Sequence, residues 1–128
     1  MPASLTDEHY QALANFRYAL RTFLAFSGSQ VARFGLTPQQ HQALLAVRAA
    51  TQEADIGYVA ERLIIKPHSA SGLVARLEAT GFVTSQSSQK DRRQRLIVLT
   101  RKGRDVLERL SVINRGKSIA YARFLKRC

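Results

Sequence analysis

SSQKDRRQRLIVLTRKG, residues 87–103, sets six basic residues and one acid around the apolar run Leu96 to Leu99. Leu-Ile-Val-Leu is aliphatic and half β-branched, so it reads as a strand. A second strand-like run, Phe82-Val83-Thr84, precedes it, and the polar segment SQSSQKDRRQR (85–95) joins the two. The reading is a β-hairpin over residues 82–100 with a basic tip. The strand is apolar because it packs on a core; the charge gathers at the tip because the tip reaches a polyanion.

Toward the N-terminus the periodicity changes from two to between three and four. Leu13, Phe16, Leu20, Phe23, Leu24, Val31 and Phe34 predict a long amphipathic helix from Leu5 to about Phe34, with Gly28 and Ser29 expected to fray or bend its last turns. Gly35 stops it, and Thr37-Pro38 supplies a cap and a first-turn proline for a second helix with Leu44, Leu45 and Val47 inward. Asp55 begins a short third helix through Tyr58, Val59, Ala60 and Leu63. About three residues later, Lys66-Pro67 starts a fourth that ends at Gly81. Its stripe is Ala70, Leu73, Val74 and Leu77, leaving a small, polar outward face that can approach base-pair edges closely. After the hairpin, Thr100 to Leu110 resumes helical spacing, and Gly116 is expected to interrupt the C-terminal segment beyond it. The chain is therefore mainly α with a small β-hairpin wing, in the order α-α-α-α-β-β-α. A short helix, tight turn and second helix followed by a hairpin is the order of a winged helix-turn-helix.

At 128 residues the chain has the size of one domain, and no segment approaches the roughly 20 apolar residues of a membrane span. The acids at Asp7 and Glu8 are unlike a secretory signal, so a cytoplasmic setting is expected. Cys128 is the single cysteine, and the three histidines His9, His41 and His68 lack metal-ligand spacing, so no cofactor or metal is expected. Residues 1–60 hold four basic and four acidic residues, whereas residues 61–128 hold sixteen and five, so the whole net charge of +11 belongs to the second half. That half is expected to face nucleic acid. No paired carboxylates, and no nucleophile beside a base, can be assembled from the scattered acids and histidines, which argues against an enzyme. Gly116-Lys117-Ser118 lacks the earlier glycine of a phosphate-binding loop, Ser111 standing there.

DRRQRLIVLTRKG (91–103), VAERL (59–63), SGLVARLEATGFV (71–83) and GLTPQQHQALLAV (35–47) together resemble the MarR (multiple antibiotic resistance regulator) transcription factors, over roughly Phe16 to Leu110. The resemblance implies one domain, with residues 1–34 and 101–128 forming dimerisation helices around a DNA-binding core at 35–100. It implies a homodimer on double-stranded DNA, with recognition helices in successive major grooves and wings in flanking minor grooves. Carried over, the recognition helix is Pro67 to Thr80, and its contacts come from Lys66, Pro67, His68, Ser69, Ser71, Gly72 and Arg76. The wing contributes Lys90, Asp91, Arg92, Arg93 and Arg95, with Arg93 at the tip. The spacing lets Asp91 hold the Arg93 guanidinium in a bidentate pair while Arg92 meets a phosphate.

Two departures from the family pattern stand out. Ile64 occupies the turn where the family commonly has glycine, so the turn is expected to be looser or the interhelix angle altered. The closing segment SVINRGKSIAYARFLKRC is short and carries five basic residues and no acid. The expected dimer seam joins Leu13, Phe16, Leu20 and Leu24 to Val106, Leu110 and Ile113. Phe16, Phe23, Phe26 and Phe34 belong to the core or that seam, with one or two touching a small aromatic or lipophilic effector. Cys128 lacks the electropositive packing of a redox sensor. The functional expectation is a sequence-specific regulator, a repressor, at a pseudo-palindromic operator. The alternative is a basic winged-helix module that binds structured RNA or serves a nucleoprotein assembly.

Overall fold

The computed structural model describes residues 4–127, with backbone alone at 114 and 116–127. Its elements are α1 (Asp7–Ala32), α2 (Pro38–Ala49), α3 (Ile56–Leu63), α4 (Pro67–Ala79), β1 (Val83–Ser87), β2 (Arg95–Leu99) and α5 (Arg101–Arg127). The expected order is observed, with three boundary differences. β1 and β2 pair antiparallel in register from Val83 opposite Leu99 to Ser87 opposite Arg95, so the hairpin loop shrinks to residues 88–94. Polar Ser85, Gln86 and Ser87 extend β1 because its outer face is solvated, a pattern that hydrophobicity alone passes over. The last helix runs through Gly116 to Arg127, and α1 runs through Gly28 and Ser29. A single glycine weakens a helix by only about 1 kcal/mol, less than its neighbours supply.

Local chemistry starts each of the first three helices. Thr6 with His9 and Thr37 with Gln40 form capping boxes, and Asp55 Oδ1 accepts from the Tyr58 amide at 2.8 Å. Three helices also end alike, in the Schellman pattern of a 6→1 and a 5→2 hydrogen bond. After α1 these are Leu36 to Val31 and Gly35 to Ala32; after α4 they are Phe82 to Leu77 and Gly81 to Glu78. After α3 they are Ile65 to Ala60 and Ile64 to Glu61. The motif needs a left-handed residue, and Gly35 (φ 77°) and Gly81 (φ 86°) supply it without a Cβ penalty. At the third position Ile64 adopts φ 56° and stands 91% exposed. The helix-turn-helix is therefore as tight as a glycine would make it, contrary to the looser turn expected from sequence. The departure is taken up as backbone strain, to which a β-branched residue is especially subject.

The core gathers Val31, Leu44, Val59, Leu77, Val83, Ile97 and Leu110, one from each element, with Phe82 from the turn before β1. All four predicted stripe residues of α4 are buried in it. Leu45 is not: it is 46% exposed, one position around α2 from fully buried Leu44. α5 is fixed to the end of α4 by its first turn. Thr100 Oγ1 donates to Gly81 O at 2.6 Å and accepts from the Gly103 amide at 3.1 Å, and Lys102 Nζ donates to Thr80 O at 2.7 Å while lying over the Phe82 ring.

Candidate nucleic-acid interface

α4 presents Lys66, Pro67, His68, Ser69, Ser71 and Arg76 to solvent, with Gly72 half-buried among them. Burial of Ala70, Leu73, Val74 and Leu77 on the opposite face fixes which side is outward. Lys66, the N-cap residue, makes no side-chain capping bond, unlike the caps of α1, α2 and α3. The first amides of α4 thus keep donors and a positive dipole end, the arrangement that suits a phosphate oxygen.

The wing tip is a tight loop built around Ser88, which is only 2% exposed. Its amide donates to Gln94 O at 3.0 Å, closing the loop. Its hydroxyl oxygen accepts from the Lys90 amide at 3.1 Å and the Asp91 amide at 3.3 Å, and donates to Glu53 Oε2 at 2.9 Å. Asp91 does not pair with the Arg93 guanidinium as the spacing suggested. Its Oδ1 accepts from the Arg93 backbone N–H at 3.0 Å, and its carbonyl accepts from the Gln94 amide at 3.0 Å. A side chain this short reaches the amide two residues on before it reaches a guanidinium. Asp91 therefore shapes the backbone that carries Arg93. Lys90, Arg92 and Arg93 are exposed, with their head groups turned to no partner among the described residues. Arg95 differs, since its guanidinium lies back along β1 on Ser87 Oγ (3.3 Å) and Ser85 O (3.5 Å).

Sequence reading missed the ties between wing and helix-turn-helix. Gln94 Nε2 donates to Asp55 Oδ2 at 2.6 Å, the other oxygen of the carboxylate that caps α3. The Ile97 amide donates to Ala54 O at 2.8 Å, and Ser85 Oγ donates to Glu78 Oε2 of α4 at 3.3 Å. Asp55 was legible as a cap, but nothing local announces its partner 39 residues away.

The predicted seam divides. Leu13, Leu20 and Leu24 on α1 are 54%, 42% and 46% exposed, and Ile113 is 40% exposed, so these form an open apolar face with Phe16 beside them half-buried. Val106 and Leu110 instead belong to the chain's own core, because α5 turns that stripe toward α1 and α2; Val112 takes their place on the open side. Beside this face a cleft of about 840 Å³ is lined by Phe23, Leu24, His41, Leu45, Leu63 and Val112, with Arg62, Glu108 and Arg115 as its charged residues. Of the four stripe phenylalanines only Phe23 lines it, while Phe34 packs against the core. Burial in its wall holds the pKa of His41 below the ordinary imidazole value. Among the described residues no helix is long and apolar enough to cross a membrane, and no three His, Cys, Asp or Glu residues cluster as metal ligands. Cys128 lies outside the described residues, as do the side chains of Lys117, Arg123, Lys126 and Arg127.

Comparison with known proteins supports the same architecture. The model of the MarR family matches residues 34–94. The transcriptional activatory protein BadR of Rhodopseudomonas palustris is 35% identical over 79 residues, which are 60% of this chain and 45% of that protein. The chain thus matches less than half the length of that curated relative. Among solved structures, AbsC, a MarR family transcriptional regulator from Streptomyces coelicolor, superposes with a TM-score of 0.76 at 18% identity over 97% of this chain and 84% of its own. CouR from Rhodococcus jostii RHA1, solved with p-coumaroyl-CoA bound, gives 0.70 at 22% identity over 79% of this chain and 71% of its own. The helix-turn-helix and most of the wing thus lie inside the segment that is similar to the MarR family, and the winged-helix fold of AbsC is shared along nearly the whole chain.

Proposed function

We propose that the protein binds a pseudo-palindromic DNA operator as a homodimer and represses transcription there, without catalytic activity of its own. The observation that carries this reading is the pairing of two outward surfaces. The face of α4 is small, polar and uncapped at its N-terminus, and the braced wing holds Lys90, Arg92 and Arg93 out into solvent. Short polar side chains read base edges in a major groove, and arginine suits the negative potential of a narrow minor groove. One copy makes too few base contacts to select an operator from a genome, so two copies at fixed spacing are required. The open apolar face of α1 with Val112 and Ile113 of α5 supplies the seam. A small aromatic or lipophilic effector enters the cleft lined by α1, α2, α3 and α5 and shifts the dimer away from DNA.

Selection of bound fragments from random-sequence DNA tests the reading. It predicts a two-fold symmetric site with half-sites about one helical turn apart, and light scattering at twice the 14.3 kDa chain mass. A monomer that prefers structured RNA over any palindrome would refute it in favour of an RNA-binding or accessory module. Transcript levels with the gene deleted separate repression from the activation that the name of BadR records.

A further inference from the structure

We infer that Ser88 and Gln94 are positioning residues for Arg93: with Glu53 and Asp55 they form a two-point brace that holds the wing tip at a fixed angle to the helix-turn-helix. The inference rests on the wing contacting DNA. The geometry is specific. Ser88 and Gln94 are the two ends of the loop, joined to each other through the Ser88 amide and the Gln94 carbonyl at 3.0 Å. Each end then reaches across to the segment before α3, Ser88 Oγ to Glu53 Oε2 at 2.9 Å and Gln94 Nε2 to Asp55 Oδ2 at 2.6 Å. Between the two points, the Ile97 amide is bonded to Ala54 O.

Charge makes the arrangement informative. Glu53 and Asp55 are acids at the base of an element that approaches a polyanion, where a carboxylate on its own weakens binding. Neither is spent on a wing cation: each accepts from a neutral donor at an end of the loop. Asp55 also caps α3 through its other oxygen, so one carboxylate ties the start of the helix-turn-helix to the wing. A hairpin anchored only along its strands would swing at its tip. Anchored at both loop ends, it presents the Arg93 backbone, itself held by Asp91, in one orientation. Holding the arginine in place before binding lowers the ordering cost that binding would otherwise carry.

The test is a double-mutant cycle on the full chain, using the strongest duplex recovered from random-sequence selection and the same duplex with its wing-facing flanks changed from A·T to G·C. Gln94→Met removes one anchor at similar volume, and Ser88→Ala removes the other. Each is expected to weaken binding to the A·T-flanked duplex about fivefold, the effect of about one hydrogen bond. In an Arg93→Ala background the same substitutions should cost less than twofold. Asp55→Asn, which keeps the α3 cap and can pair with a flipped Gln94 amide, should bind like the wild type. Thermal melting of Gln94→Met within a few degrees of the wild type keeps folding out of the result. Equal losses with and without Arg93 would overturn the inference, as would tighter binding on removal of either acid. A wild type whose affinity ignores both Arg93→Ala and the flanks would show instead that the wing reading beneath it is wrong.

Discussion

Gly103→Ala should destabilise the fold by about 2–3 kcal/mol although it places the best helix former in a helix. Propensity alone favours alanine by about 0.8–1 kcal/mol. Packing opposes it. A Cβ at residue 103 would lie inside van der Waals contact with the Phe82 carbonyl oxygen and 3.1 Å from its carbonyl carbon, where carbon atoms prefer about 3.5–4.0 Å. The obstacle is backbone, so no rotamer change relieves it; α5 must move away from Phe82, in the turn between α4 and β1. That shift would stretch the bonds from Thr100 to Gly81 and from Lys102 to Thr80, each contributing about 0.5–1.5 kcal/mol. Urea denaturation followed by circular dichroism, at matched protein concentration so that the proposed dimerisation contributes equally to both proteins, measures the difference. Gly72→Ala is the control: its nearest neighbour is Arg76 Nη2 at 3.7 Å, ordinary contact, so it should gain about 0.5–1 kcal/mol. A Gly103→Ala protein as stable as the wild type would show that the approach of α5 to Phe82 is not a constraint.

Ile64→Gly should stabilise the protein by about 1 kcal/mol in the same assay, by relieving the left-handed strain at a position that is 91% exposed; a loss would mean that Ile64 makes a stabilising contact. Arg93→Ala should weaken operator binding by about 1–3 kcal/mol, and Asp91→Ala should weaken it too. Asp91→Asn should spare it, because an amide oxygen can still accept from the Arg93 N–H; equal damage from both Asp91 variants in fluorescence anisotropy would restore a role for the charge. His41 is buried neutral with its pKa below 6.5, so the unfolded chain binds the extra proton and stability falls as pH drops below about 6.5. His41→Gln should flatten that slope in melts between about pH 7 and pH 5, and an unchanged slope would place the titration elsewhere.

Much of this was legible from local signals. Thr37-Pro38, Asp55, Gly35 and Gly81 mark helix ends because caps and left-handed turns are chemistry of adjacent residues. The stripe of α4 is periodic, so its outward face followed by subtraction. What escaped depends on where distant segments meet. Val106 and Leu110 look like a seam until α5 is seen to turn them onto α1 and α2, and Leu45 looks internal until Leu44 beside it takes the core. Asp91 shows the limit of spacing: position along the chain placed it near Arg93, but not which of that residue's donors it meets.

The contact of α5 with the end of α4 makes the two helices a lever. The hydrogen bonds from Thr100 and Lys102 fix the fulcrum at the carbonyls of Gly81 and Thr80, where α4 stops. From there α5 continues for 27 residues, an arm of about 40 Å at a rise of 1.5 Å per residue. A tilt of about 3° at the fulcrum sweeps the far end of such an arm through about 2 Å. Displacements of the far end are thereby geared into small rotations of the exposed face of α4.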